Sequence, residues 1–160
     1  MLNLLEPLLD SWDRNNTILL NLLRAMPVDM LDAKAMEGGK SFAEMFTHMH
    51  GTRLYFVSQC APDLPVTRPE NGSLHTRDPH RIEQLLNESS LAVRNAVRTR
   101  VERGKQMEVL YDHPILMLQH LIWHEGYHHG QIKLALKLAG HALDDEEIGP
   151  VTWDLWMDKH

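Results

Sequence analysis

Apolar residues recur at intervals of three and four in four separate stretches of this chain, a spacing that suits amphipathic helices and leaves no alternating pattern for a sheet. The first stretch runs through Leu2, Leu5, Leu8, Leu9, Trp12, Leu19, Leu22, Leu23 and Met26, and Pro27 closes it. Ser41-Phe42-Ala43-Glu44 is a capping box: the serine oxygen accepts from the backbone three residues on, and the glutamate reaches back to the cap amide. It opens a second helix that ends near Gln59. Asp78-Pro79 supplies a cap and a first-turn proline for a third, with a stripe of Ile82, Leu85, Leu86, Ser89, Ala92, Val93, Ala96, Val97 and Val101 and a terminator in Gly104. Asp112-His113-Pro114 repeats that signature for a fourth, which runs to Ala139 and stops at Gly140. The tail reads as an acidic turn, Asp144 to Glu147, and a short aromatic helix with Trp153, Leu155, Trp156 and Met157.

The expected fold is therefore all-α: a four-helix bundle plus a short C-terminal helix, with residues 1–160 forming a single domain. Between the second and third helices lie Pro62, Pro65, Pro69, Asn71-Gly72 and Asp78-Pro79, which no helix interior tolerates. A connection of that length permits a crossover in which those two helices run parallel. With one cysteine, Cys60, the chain cannot staple itself with an intramolecular disulfide, which points to a reducing compartment. The formal net charge of -6, without a Lys/Arg cluster, argues against a nucleic-acid partner. No apolar run approaches the roughly 20 residues of a membrane span, and Met1 is not followed by a basic leader, so a cytoplasmic location is expected.

Histidine is the unusual component. The chain has 11, and five of them fall between His113 and His129. On a helix His120, His124 and His128 lie within about 80° of one another, on a face that also carries Met117, Tyr127, Gln131, Ala135 and Leu138. Imidazoles on a core stripe must be hydrogen-bonded or metal-bound. A pair at i and i+4, His124 and His128, aims two nitrogens at one point, as a zinc-like ion requires. A third ligand is available in His48, which falls near the middle of the second helix, opposite the middle of the fourth at Gly126. Three imidazoles suit Zn, Ni, Cu and Fe alike, and leave an open position that can activate a small thiol or water.

The run His120-Leu-Ile-Trp-His124-Glu-Gly-Tyr-His128-His129-Gly130-Gln131, together with His48, resembles the DinB-like superfamily of small metal-binding four-helix bundles. The resemblance covers the whole chain in helix order. It implies the parallel crossover, a frequent homodimer, and a divalent metal such as zinc or nickel on His48, His124 and His128. It also implies a reaction for some members, transfer of low-molecular-weight thiols to electrophiles or isomerisation of thiol adducts. Members often carry Arg where this chain has His129.

His124-Glu125-Gly126-Tyr127-His128 also satisfies HExxH, the zinc-peptidase motif with Glu as general base, and Glu146 or Glu147 stands at a spacing for the third ligand of one such type. The extended form fails, because Gln131 and Leu134 stand where Gly and His are needed, and no strand offers an edge for a peptide. The remaining alternative is a non-catalytic sensor or structural module. Plainer roles are expected for the other residues. Glu44 caps its helix, His50 and Glu125 sit on solvated or paired flanks, and Gly126 and Gly130 permit close helix approach. His120, Tyr55, Tyr127 and Gln131 pack with a polar tip or contact substrate. Cys60 is a small core residue with no cation beside it, and Trp153 and Trp156 form core, lid or a dimer surface.

Overall fold

A computed structural model describes residues 4–67 and 75–159. Leu2 of the first stripe, and Pro69 and Asn71-Gly72 of the long connection, lie outside the described residues. The helices fall where the punctuation puts them: α1 Leu5–Ala25, α2 Phe42–Cys60, α3 Pro79–Glu102, α4 Pro114–Leu138 and the short α5 Asp145–Ile148. A 3-10 turn follows α1 at Val28–Asp32, and two more, Gly149–Val151 and Trp153–Trp156, form the tail. Among the described residues there is no strand, only an isolated bridge between Lys34 and Ser41.

Both halves of the Ser41/Glu44 capping box are present, and Asp78 and His113 cap α3 and α4 ahead of their prolines. Gly104 and Gly140 adopt φ of 60° and 81°, which lets Lys105 N–H reach back to Arg100 O and His141 N–H to Leu136 O, closing both helices.

Partners on α2 and α3 advance together along both helices: His50 with the carbonyl of Leu85, Arg53 with that of Leu86, and Cys60 O with Arg100. The two helices therefore run parallel, and the long connection is the expected crossover. On α1 and α3 the order reverses, with Glu6 facing Arg98, Asp13 facing Arg94 and Arg24 facing Glu83, so those helices are antiparallel.

Two apolar clusters fill the bundle. One joins the C-terminal half of α1 (Leu19 to Leu23) and Met26 just after it, the start of α2 (Phe42 to Met49), Ile82 and Leu86 of α3, and Ile132, Ala135 and Leu136 of α4. The other joins Leu5, Leu9 and Trp12, the end of α2 at Val57 and Cys60, Val93 to Val97 of α3, and Met117, Leu118 and Leu121 of α4. Between them lies a buried polar layer of Asn15, Asn16, Arg53, Ser89 and Glu125. Arg53 and Glu125, both at 0% side-chain exposure, form a two-pronged ion pair with N–O distances of 2.6 and 2.9 Å. Asn15 donates to the second carboxylate oxygen at 2.6 Å. The remaining guanidinium nitrogen reaches Asn16 Oδ1 and Leu86 O, and the group lies 4.8 Å from the ring centre of Trp12. Every charge is paired and hydrogen-bonded, which burial at this depth demands.

Four expectations change. The core stripe of α4 is Met117, Leu118, Leu121, Glu125, Ile132, Ala135 and Leu136, so the histidine row lies at its margin, where His120 and Tyr127 are exposed and Leu138 is 78% exposed. Gly126 and Gly130 are exposed, and a Cβ on either would meet nothing within 4 Å, so they do not serve close helix approach. His50 is not a surface residue. It is 2% exposed and held at 2.7 Å to Leu85 O, because the parallel α3 covers that side of α2. Glu125 is paired, as one expectation had it, but inside the core instead of on a flank.

Candidate metal centre

His48 projects from α2 toward α4, where it meets two imidazoles one turn apart. Ring centres of His48 lie 5.4 Å from His124 and 5.2 Å from His128, and those of His124 and His128 are 4.6 Å apart. One nitrogen from each of the three can be chosen so that all lie within 4.8 Å of one another, and among the described residues no other group of three His, Cys, Asp or Glu converges in this way. The antiparallel course of α2 and α4 brings them together: the start of α2 shares an apolar cluster with Ile132 to Leu136, its end shares one with Met117 to Leu121, and Arg53 meets Glu125 between the two.

The hydrogen bonds around the rings suit an ion. His128 Nδ1–H donates to Gln131 Oε1 at 2.9 Å, and Gln131 in turn donates to the Tyr127 hydroxyl at 2.9 Å. That fixes the His128 tautomer and turns its Nε2 lone pair to the front, 3.2 Å from Nε2 of His124. His124 Nδ1 is buried without a partner, so the fold offers this ring nothing but the neighbouring imidazole. Burial lowers the pKa of all three, with help from neighbouring charge: His128 and Lys40 act on His48, and the other histidines act on His124, which is pushed down to about 4. All three rings are thus neutral at pH 7 and able to ligate, and the donor set fits a zinc-like ion.

The other singled-out residues divide. His120 sits beyond the cluster, its Nδ1 accepting from the Tyr111 hydroxyl at 2.6 Å and its ring 5.5 Å from Phe56; burial raises Tyr111 to about 12, so it keeps the proton it donates. Tyr55 packs edge-on against Phe56. Glu44 serves the capping box and does not turn to His48. Glu146 and Glu147 are exposed on α5 and do not join the imidazoles. Cys60 is buried and its thiol is pushed up by burial, as for a core residue, although a cation, Arg100, does stand beside it.

Sequence reasoning missed the polar layer. A signal was present: the apolar stripe of the first helix lapses at Asn15-Asn16, and Ser89 interrupts that of the third. For Glu125 the expectation of a solvated or paired flank, like the rival HExxH motif, leaves it outside the core, where the structure buries it.

An all-helical bundle with three convergent imidazoles at the margin between two antiparallel helices defines a class of bundle that can hold a metal ion. The chain belongs to the DinB family, whose family model matches residues 1–145. No curated protein and no solved structure matches it.

Proposed function

We propose that the chain is a divalent-metal enzyme acting on a small molecule, with zinc or nickel held by His48, His124 and His128. The carrying observation is the convergence of three imidazoles at a half-buried site rimmed by polar side chains. A bound ion would supply Lewis acidity at its open position, lowering the pKa of a thiol or of water placed there. The protein's own part is orientation. Gln131 holds the His128 ring, the Tyr127 hydroxyl anchors Gln131, and Lys40 brings positive charge to bear on His48 and His128. Thiol transfer to an electrophile is the preferred reaction, with hydrolysis the second form of the same chemistry.

A purely structural metal is less well supported: an ion on His48, His124 and His128 would tie α2 to α4, but only three imidazoles converge, one fewer than the closed four-ligand set of a structural site. The peptidase reading loses its base: both Glu125 oxygens are engaged by Arg53 and Asn15 at 0% exposure, where no water can be activated.

Elemental analysis of tag-free protein tests the site. Wild type holds about one ion per chain, His48→Ala loses it, and the Glu146→Ala/Glu147→Ala double variant keeps it. Retention of metal by His48→Ala refutes the ligand set. If the metallated protein transfers no thiol and hydrolyses no ester above background, the enzyme reading fails and a sensor remains. Exposed Leu116, Trp123, Tyr127, Leu134 and Leu138 share one side of α4 beside the imidazoles, which supports a homodimer formed through that face.

A further inference from the structure

On the far side of α4, roughly 150° round the helix from His124 and His128, a concave feature opens. It is a cleft of about 270 Å³ between α1, α4 and the tail, walled by Ile18, Leu19, Ile122, Trp153 and Trp156. Its size is near the lower end of small-molecule sites, about 300 Å³, and suits one or two fused rings. All of its tail wall, Thr152, Trp153 and Trp156, lies beyond the residues that the family model matches.

The tail is held in place over the cleft. Arg14 donates to the carbonyls of Leu155 and Asp158, Asn21 donates to that of Val151 at 2.7 Å, and Ile148 and Thr152 are buried beneath. Yet Trp153 remains 74% exposed and Trp156 44%, two large apolar surfaces fixed beside an open space. The polar groups at the cleft are few. Lys133 contributes an ammonium paired at 2.7 Å with Asp145, whose 89% exposed carboxylate can be exchanged for another anion at little loss. His129 lines the cleft and has a buried Nε2 with no partner. Glu125 also borders it, but its charge is already matched by Arg53. Gly126 leaves the floor clear, since a Cβ there would touch nothing.

We propose that this cleft binds a planar, largely apolar small molecule carrying one carboxylate or similar anionic group, with the indoles of Trp153 and Trp156 against its face and Lys133 with His129 at its polar end. The site is separate from the imidazole cluster and does not rest on the enzymatic reading.

The four tryptophans report on it in the full-length, nitrogen-15-labelled protein, where each indole N–H gives one resonance assigned by Trp→Phe variants. Titration with 2-naphthoate shifts the Trp153 and Trp156 resonances saturably and leaves Trp123, on the exposed side of α4, in place. Lys133→Ala weakens binding about tenfold, the loss expected for one charge-assisted contact, and the uncharged 2-naphthamide binds at least as weakly as that. Gly126→Phe fills the floor and abolishes the shifts, whereas His48→Ala leaves them unchanged. Three results overturn the proposal: no saturable shift up to about 5 mM, the weak end of specific affinity; equal movement of Trp123; or unaltered binding in both Lys133→Ala and Gly126→Phe. Equal affinity for 2-naphthamide overturns the anionic part of it.

Discussion

Burial and neighbouring imidazoles push the pKa of His124 from 6.5 to about 4, and those of His48 and His128 fall in the same direction. Protons compete with a metal only once the rings can take them up. The ion is therefore expected to stay bound as pH falls past 6 and to leave as it approaches about 4, which metal release into a chelator dye would follow. Release complete by pH 6 contradicts that. In metal-free protein the sign is also fixed. The unfolded chain protonates His124 near 6.5 and the folded chain only near 4, so stability is intact above 6.5 and is lost progressively down to about 4. At Glu125 the expected effect is structural. Glu125→Ala strands the Arg53 guanidinium in the core and costs about 3–5 kcal/mol in urea unfolding. A catalytic base of the peptidase kind would instead lose activity at unchanged stability. His124 and His128 were legible as candidate ligands because i, i+4 spacing fixes direction on a helix, and His48 because the middles of two packed helices meet. The fate of Glu125 was not, since a five-residue motif says nothing about what α1 and α2 place opposite it.

Element boundaries were legible wherever a cap fixes backbone geometry. Ser41, Asp78 and His113 each accept from a backbone N–H, and Gly104 and Gly140 take the left-handed turn that ends α3 and α4. Sidedness was less so on α4, where His, Gly and Tyr blur the apolar stripe and Leu116, Leu134 and Leu138 lie outside the core. His50 shows the same limit on α2, because only the parallel course of α3 decides that its face is covered. The glycines of α4 are a direct consequence. With open space at its Cβ, Gly130→Ala should gain about 0.5–1 kcal/mol in denaturant unfolding by removing backbone freedom from the unfolded chain. A loss of stability would mean that another surface approaches closely there.

Across the whole molecule, the homodimer proposed above would place a second copy of the chain against the exposed face of α4. Trp123, 72% exposed, and Leu134 lie on it, so Trp123→Glu with Leu134→Glu is expected to give monomers by sedimentation equilibrium while sparing the imidazole cluster. A wild type that is monomeric at tens of micromolar, a rough ceiling for a stable dimer, removes that interface. Parallel α2 and α3 could be anticipated from the length of their connection, but the division of the interior into two apolar clusters could not, because it depends on which residues of four helices share a height. That division acts as a bulkhead. A one-turn slip of α4 against α2, about 5.4 Å, would drive a carboxylate into hydrocarbon, so the two helices have a single permitted alignment and the three imidazoles inherit it. The compartments on either side can then be repacked separately: side chains around Phe46 or around Val93 can drift over generations without disturbing each other's fit, and the imidazole geometry is answerable to neither.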